Sequence, residues 1–202
     1  MTDAVSALLA PDGAPLRADA RRNAERLVAA ARTALAERGV DVTTRDIAER
    51  AGVGLGTLYR RVPSLDALLA ALLLETIEEM IELADRAKRA EDPWRGFVEF
   101  AEPYVRLRAS SCGLNAALSG ATRPDVRQSI QRLSTAVREL VEHVREAGAI
   151  RADLDWRDVA FALASATPAD HTLDLTARPD QWRRNLAIIL DGLRTRRDDD
   201  LA

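Results

Sequence analysis

The sequence predicts an all-α chain of about nine helices, with a small three-helix helix-turn-helix domain first and a larger helical body after it. Three observations carry the prediction. Apolar residues recur at helical spacing along most of the 202 residues, and strand-type alternation is nowhere sustained. Gly and Pro punctuate the helical runs at Gly39, Gly52, Pro63, Pro93, Gly148, Pro168 and Pro179. The segment from Thr43 to Tyr59, TTRDIAERAGVGLGTLY, reads as two short helices joined by a tight Gly-containing turn.

Taken in order, the first helix is amphipathic through Ala24, Leu27, Val28, Ala31, Ala34 and Leu35, and stops at Gly39. Thr43 or Thr44 can cap the second, and Asp46 favours its positive end. Ile47, Ala48 and Ala51 share one face, and Ala48 is small enough for close approach of the next helix. Gly52 falls where the chain must turn sharply, a position that often requires positive φ. Val53 and Leu58 then point into the shared core, turning Gly54, Thr57, Tyr59, Arg60 and Arg61 outward. Such a surface suits a DNA groove and its flanking phosphates better than a protein partner. An ordinary helix hairpin is the plainer alternative for the spacing alone. After Pro63, Ser64 can cap a fourth helix carrying Leu68, Leu69, Leu72, Leu73 and Ile77, which continues to about Arg89.

In the body, Asp92 can cap a helix that has Pro93 at its first position. Phe97, Phe100, Tyr104 and Leu107 form its stripe, and Pro103 inside it deletes a backbone hydrogen bond. Leu114 to Leu118 resembles a short helix. Asp125 to Ala147 is long and amphipathic, and Gly148 ends it. Trp156, Val159, Ala160, Leu163 and Ala164 make one further stripe, ending near Pro168. Pro179 starts the last, with Trp182, Leu186, Ile189, Leu190 and Leu193 on one face.

The chain carries a net charge of −3, which argues against a protein that coats DNA. From Arg17 to Val62, however, ten Arg face six Asp plus Glu, a local +4 that leaves −7 elsewhere. A basic head on an acidic body is the footprint of one surface presented to phosphate. Cys112 is the only cysteine, so no intrachain disulfide is possible and a reducing, cytoplasmic compartment is expected. MTDAVSALLAPDGAPLRA has no basic n-region and reads as a loose arm rather than a signal peptide. The Leu-rich run at 65–74 is too short and too interrupted by Asp66 to span a membrane. No catalytic or metal-ligating set emerges. Cys112, His143 and His171 lack any local motif, and Glu75, Glu78, Glu79 and Glu82 read as a solvated acidic helix face without His at ligand spacing. No cofactor and no enzymatic activity are expected.

Residues 21–74 resemble the N-terminal domain of the TetR family of transcriptional regulators. The matching residues are Thr43-Thr44, Ile47-Ala48, Ala51-Gly52-Val53, Gly56-Thr57-Leu58-Tyr59-Arg60, and Pro63-Ser64 followed by Leu68. The resemblance assigns Thr44 to phosphate contact, Thr57 to base edges or a thymine methyl, and Tyr59 to the DNA backbone. Three residues depart from the pattern: Arg61 stands where His is frequent, Val62 where Phe is usual, and Leu65 where a phosphate-touching Lys is common. The DNA-binding set expected from pattern and resemblance together is Thr43, Thr44, Arg45, Gly54, Leu55, Gly56, Thr57, Tyr59, Arg60 and Arg61.

The resemblance further implies that the body encloses a cavity for a small effector. Phe97, Phe100, Tyr104, Leu114, Leu118, Leu140 and His143 are the candidate lining, with Tyr104 and His143 as polar handles. A plain core is the alternative reading of that aromatic stripe. Trp156, Ala160, Leu163, Ala164, Trp182, Leu186, Ile189, Leu190 and Leu193 are the candidate homodimer interface, a four-helix arrangement across two chains. The expected organisation is a flexible arm at 1–17, a DNA-binding domain at 18–63, a helical regulatory and dimerisation domain at 64–196 and a tail at 197–202. The expected function is a homodimeric repressor released from a double-stranded operator by a small molecule, with no membrane partner. A ligand-independent helix-turn-helix protein and an all-helical enzyme are the competing readings.

Overall fold

A computed structural model describes residues 18–38, 42–62, 64–110, 123–167 and 171–195. Among these the chain is all-α, with eight helices and one two-stranded hairpin. The helices are α1 (Ala18–Arg38), α2 (Thr44–Ala51), α3 (Leu55–Arg61), α4 (Leu65–Lys88), α5 (Pro93–Ser110), α6 (Pro124–Glu146), α7 (Trp156–Ser165) and α8 (Gln181–Leu193). The short helix expected at 114–118 lies outside the described residues. The chain divides into two compact units, one drawn from 1–78 and 110–130, the other from 79–109 and 131–202, so α4 and α6 contribute to both.

The first unit is built around α1–α3 and the start of α4. Leu27, Ala31, Ile47, Ala48, Leu58, Val62, Leu68 and Leu72 belong to one continuous apolar cluster, with Val53, Leu65 and Leu69 packed on it. Complete burial of Leu27, Ile47, Leu58 or Leu68 contributes about 1.5–3 kcal/mol each. Ser64 Oγ accepts the Ala67 N–H at 3.1 Å, the cap expected for the fourth helix. Leu58→Ala should therefore lower the stability of this unit by about 2–5 kcal/mol, read as an earlier thermal transition. A variant melting at the wild-type temperature would contradict the packing.

One acid behaves unlike the expectation. Glu79 and Glu82 are exposed and Glu78 is half-buried, but Glu75 is buried. Its position explains this: Leu68, Leu72 and Glu75 follow one another at intervals of four and three, so Glu75 continues the inward stripe of α4.

In the second unit, Asp92 Oδ1 accepts the backbone N–H groups of Trp94 and Arg95 at 2.9 and 3.1 Å, as the sequence suggests. The helix so started runs unbroken through Pro103. It also begins unusually close to the end of α4. A Cβ built on Gly96 would stand 2.5 Å from the Ala87 carbonyl oxygen and 2.8 Å from Ala90 Cβ. Because the first obstacle is backbone, Gly96→Ala should cost about 1–3 kcal/mol, measurable by denaturant unfolding. Lys88 at the end of α4 reaches Glu139 of α6 at 2.8 Å and Asp85 at 2.9 Å. The hydrogen bond that its ammonium donates to Glu139, and then that to Asp85, holds its pKa above the ordinary lysine value.

Asp155 caps α7 in a capping box with Asp158, accepting the Arg157 and Asp158 N–H groups at 2.6 and 3.1 Å. The Asp158 N–H is the main reason its carboxyl titrates below the ordinary 3.8. A depressed carboxyl stabilises the fold above its unfolded pKa and loses that contribution as pH falls through the folded value. Asp155→Ala should flatten the loss of melting temperature on acidification below about pH 4, and an unchanged slope would contradict the cap.

The chain between α7 and α8 forms a hairpin that periodicity did not suggest. Strands β1 (His171–Thr172) and β2 (Leu175–Thr176) pair antiparallel, and the turn places Leu173 and Asp174 at φ 49° and 60°. Two successive positive values define a type I′ turn, here without its usual Gly or Asn. After α8, Ile150 and Arg194 form an isolated antiparallel bridge, and Arg194 lies 5.5 Å from the Trp94 ring centroid. Asn185 Nδ2 donates to the Ala166 carbonyl at 3.2 Å, which ties α8 to the end of α7.

Candidate nucleic-acid interface

The interface is assembled by the two turns that enclose α2. Thr43 is its N-cap: its hydroxyl oxygen accepts the Asp46 N–H at 3.2 Å, while Asp46 accepts the Thr43 N–H at 2.9 Å. This capping box consumes the Thr43 hydroxyl locally and leaves Thr44, half-buried, at the first helical position.

At the other end Gly52 takes φ 65° and ψ 35°. The Gly52 N–H donates to the Glu49 carbonyl at 3.2 Å and the Val53 N–H to that of Ala48 at 3.0 Å, the two bonds of a Schellman motif. Any L-residue with a Cβ is strained in that conformation. Gly52→Val should destabilise the first unit by about 1–2 kcal/mol, seen as an earlier thermal transition; wild-type stability would contradict it.

From Gly54 the chain enters α3, a two-turn helix in which Gly54 makes no side-chain cap. Leu58 is buried beneath it and Tyr59 stands 60% exposed above it. Leu55, Gly54 and Gly56 are exposed, and Thr57 is half-buried. A Cβ on Gly54 or Gly56 would meet nothing within 4 Å. Thus, among the described side chains, α3 presents Leu55 and the Tyr59 phenol beside two open glycine positions. Arg45 on α2 is exposed and pairs with Glu49 at 2.9 Å, a contact that water screens. The side chains of Arg60 and Arg61 lie outside the described part of the structure.

The remaining described candidates fall in the second unit. Phe97, Phe100 and Leu140 are fully buried, and Tyr104 and His143 half-buried. Phe100 and Tyr104 stack with ring centroids 5.6 Å apart, and Trp94 meets Phe97 at 5.7 Å. Leu114 and Leu118 lie outside the described residues. On α7 and α8, Leu163, Leu186 and Leu193 are buried within the chain itself; Trp156, Ala160, Ala164, Trp182, Ile189 and Leu190 are half-buried. The bulky apolar residues of α7 and α8 that face outward are Phe161 at 77% exposure and Ile188 at 71%, neither of them in the stripes read from the sequence. Their signal was available: each is a bulky apolar residue off the inward stripe of its helix.

A short exposed helix held by a left-handed glycine turn over a three-helix core defines a DNA-binding protein of the helix-turn-helix class. Comparison with known proteins agrees. Residues 27–72 match the model of bacterial regulatory proteins of the tetR family, and residues 92–195 match that of the SbtR-like transcriptional regulator C-terminal domain. The chain belongs to the TetR family of transcriptional regulators. It is 28% identical over 186 residues to the tetracycline repressor protein class D of Escherichia coli, covering 85% of this chain and 78% of that protein. Among solved structures it is 31% identical to a TetR regulatory protein from Mycobacterium vanbaalenii, with a TM-score of 0.60 over 90% of this chain and 100% of that one. The TetR regulator SCO0520 from Streptomyces coelicolor gives 27% identity and a TM-score of 0.63 over 86% and 99%. No described helix is long and apolar enough to cross a membrane.

Proposed function

We propose that this regulator is a homodimeric repressor whose operator is a near-palindromic duplex and whose release is triggered by a small molecule. The observation that carries the DNA part is the orientation of α3, with Leu58 inward and Tyr59 outward. In this reading Thr44 and Tyr59 contact phosphates and position the helix, Thr57 reads a base edge or thymine methyl, and Arg45, Arg60 and Arg61 add charge. The functional division runs between a DNA-binding domain at 18–63 and a regulatory body at 64–196.

A single two-turn helix reads few base pairs, and a twofold pair reads two half-sites. The exposed Phe161 and Ile188 are the apolar anchors proposed for that pair, braced from beneath by Leu163 and Leu186. Repression is the sign borne by the name of the tetracycline repressor, at 28% identity. The effector is assigned to the aromatic region of the second unit at Phe97, Phe100, Tyr104, Leu140 and His143. For release, the effector must favour the arrangement that fits the operator less well, transmitted through α4, which is common to both units.

The test is a gel-shift titration on the duplex that the protein selects from a random-sequence library. Release by a set of apolar small molecules at micromolar concentration is expected. Operator affinity unmoved by every compound would leave a ligand-independent DNA-binding protein in its place.

A further inference from the structure

Among the described residues Glu75 is the only buried ionisable side chain, 1% exposed, and its carboxylate accepts a hydrogen bond from Arg32 Nη2. Arg32 projects from α1 and is 50% exposed, so one partner of the pair is sealed and the other wetted. Glu75 stands on α4 about three turns from its start, on the same stripe as the fully buried Leu68 and Leu72. A leucine there would extend the apolar stripe without a desolvated charge. Buried ion pairs replaced by apolar residues of similar size are often as stable or more so, which makes stability a poor reason for this one. What a charged pair adds is direction. The inward face of α1 sets Ala24, Ala30, Ala31 and Ala34 around Leu27 and Val28, so much of it is small side chains against which an all-aliphatic α4 could settle in more than one register. One guanidinium–carboxylate contact singles out one of them.

We propose that the Arg32–Glu75 pair is a positioning latch for DNA recognition. It fixes α4 against α1 in one register, so that α3, seated on the same apolar cluster, is offered to the duplex in one orientation. The proposal deepens the operator-binding reading and rests on it. Neither residue touches DNA in this account; both act through the packing of the first unit.

The test uses the full chain, with the duplex selected by the wild-type protein and an unselected duplex of the same length. R32L/E75L should melt within about 4 °C of wild type and bind the unselected duplex equally well. Its preference for the selected duplex should fall about tenfold or more. R32K, which keeps a cation in reach, should hold that preference within about threefold. A purely structural pair would move the melting temperature and leave the preference of the folded protein unchanged. That outcome in R32L/E75L, or in E75Q should the double variant not fold, overturns the latch while leaving operator binding intact.

A DNA-independent measurement separates the two ideas. Spin labels at E25C and D66C, on exposed positions of α1 and α4 in a C112S background, should give a distance distribution that broadens in R32L/E75L. If the wild-type protein selects no duplex, the operator reading fails, and an unbroadened distribution overturns the latch on its own.

Discussion

Replacing Tyr59 with Ala is expected to weaken binding to the selected duplex by about 1–3 kcal/mol, or roughly ten- to a hundredfold, with the melting temperature unchanged. At 60% exposure the Tyr59 ring has little protein to pack on, so removing it leaves no cavity and no stability cost of note. Its hydroxyl stands on the outward side of the helix whose inward side is Leu58, so its proposed contact is with the DNA backbone. Tyr59→Phe should retain packing on the sugar and lose only the hydroxyl contact, giving a smaller deficit. Because a phosphate contact carries no sequence information, the loss should be similar across duplexes. Thr57→Val, by contrast, should change which duplexes are preferred. A binding assay on wild-type and variant proteins across several selected sequences distinguishes the two patterns; unaltered affinity in Tyr59→Ala would contradict the placement of α3 at the interface.

Phe161→Glu combined with Ile188→Glu is expected to abolish the proposed dimer, raising its dissociation constant by at least about a hundredfold. The two side chains are 77% and 71% exposed in the single chain, so charging them costs the monomer little. In a dimer each would be desolvated without a partner, at several kcal/mol per charge. Operator binding should then become steeply dependent on protein concentration, since two separate heads must be brought to one site. Sedimentation at micromolar concentration reads the first effect and gel-shift titration the second. A variant that remains dimeric would show that α7 and α8 pair through another face, or that the contact lies elsewhere.

Much of the DNA-binding unit was legible in the sequence because its signals are local. Thr43 and Asp46 stand three apart, as a capping box requires, and Gly52 occupies the position where only a residue without Cβ takes φ 65° comfortably. Ser64 and Asp92 cap for the same short-range reason. What was not legible depends on which face of a helix finds a partner. Glu75 was grouped with Glu78, Glu79 and Glu82 by charge, although its interval from Leu68 and Leu72 puts it on the buried stripe. Periodicity on α7 and α8 selected nine residues, of which Leu163, Leu186 and Leu193 are covered by the chain's own packing while Trp156, Ala160, Ala164, Trp182, Ile189 and Leu190 are half-buried. Phe161 and Ile188 fall off those stripes, so a rule that rewards stripes overlooks them. The hairpin at 171–176 escaped because its strands are two residues each and its turn pairs Asp174 with Leu173 at positive φ, without the Gly that usually marks a type I′ turn.

The dependence of all these expectations on one surface can be checked by hydroxyl-radical footprinting of the full-length protein on its selected duplex. Two protected patches on one side of the helix, with centres about 10 bp or a multiple apart, are predicted for the wild type. At a protein concentration that only just saturates the wild-type footprint, Tyr59→Ala should lose both patches together. A single patch, protection without periodicity, or a wild-type footprint retained by the variant would contradict a paired docking of the helix at residues 55–61.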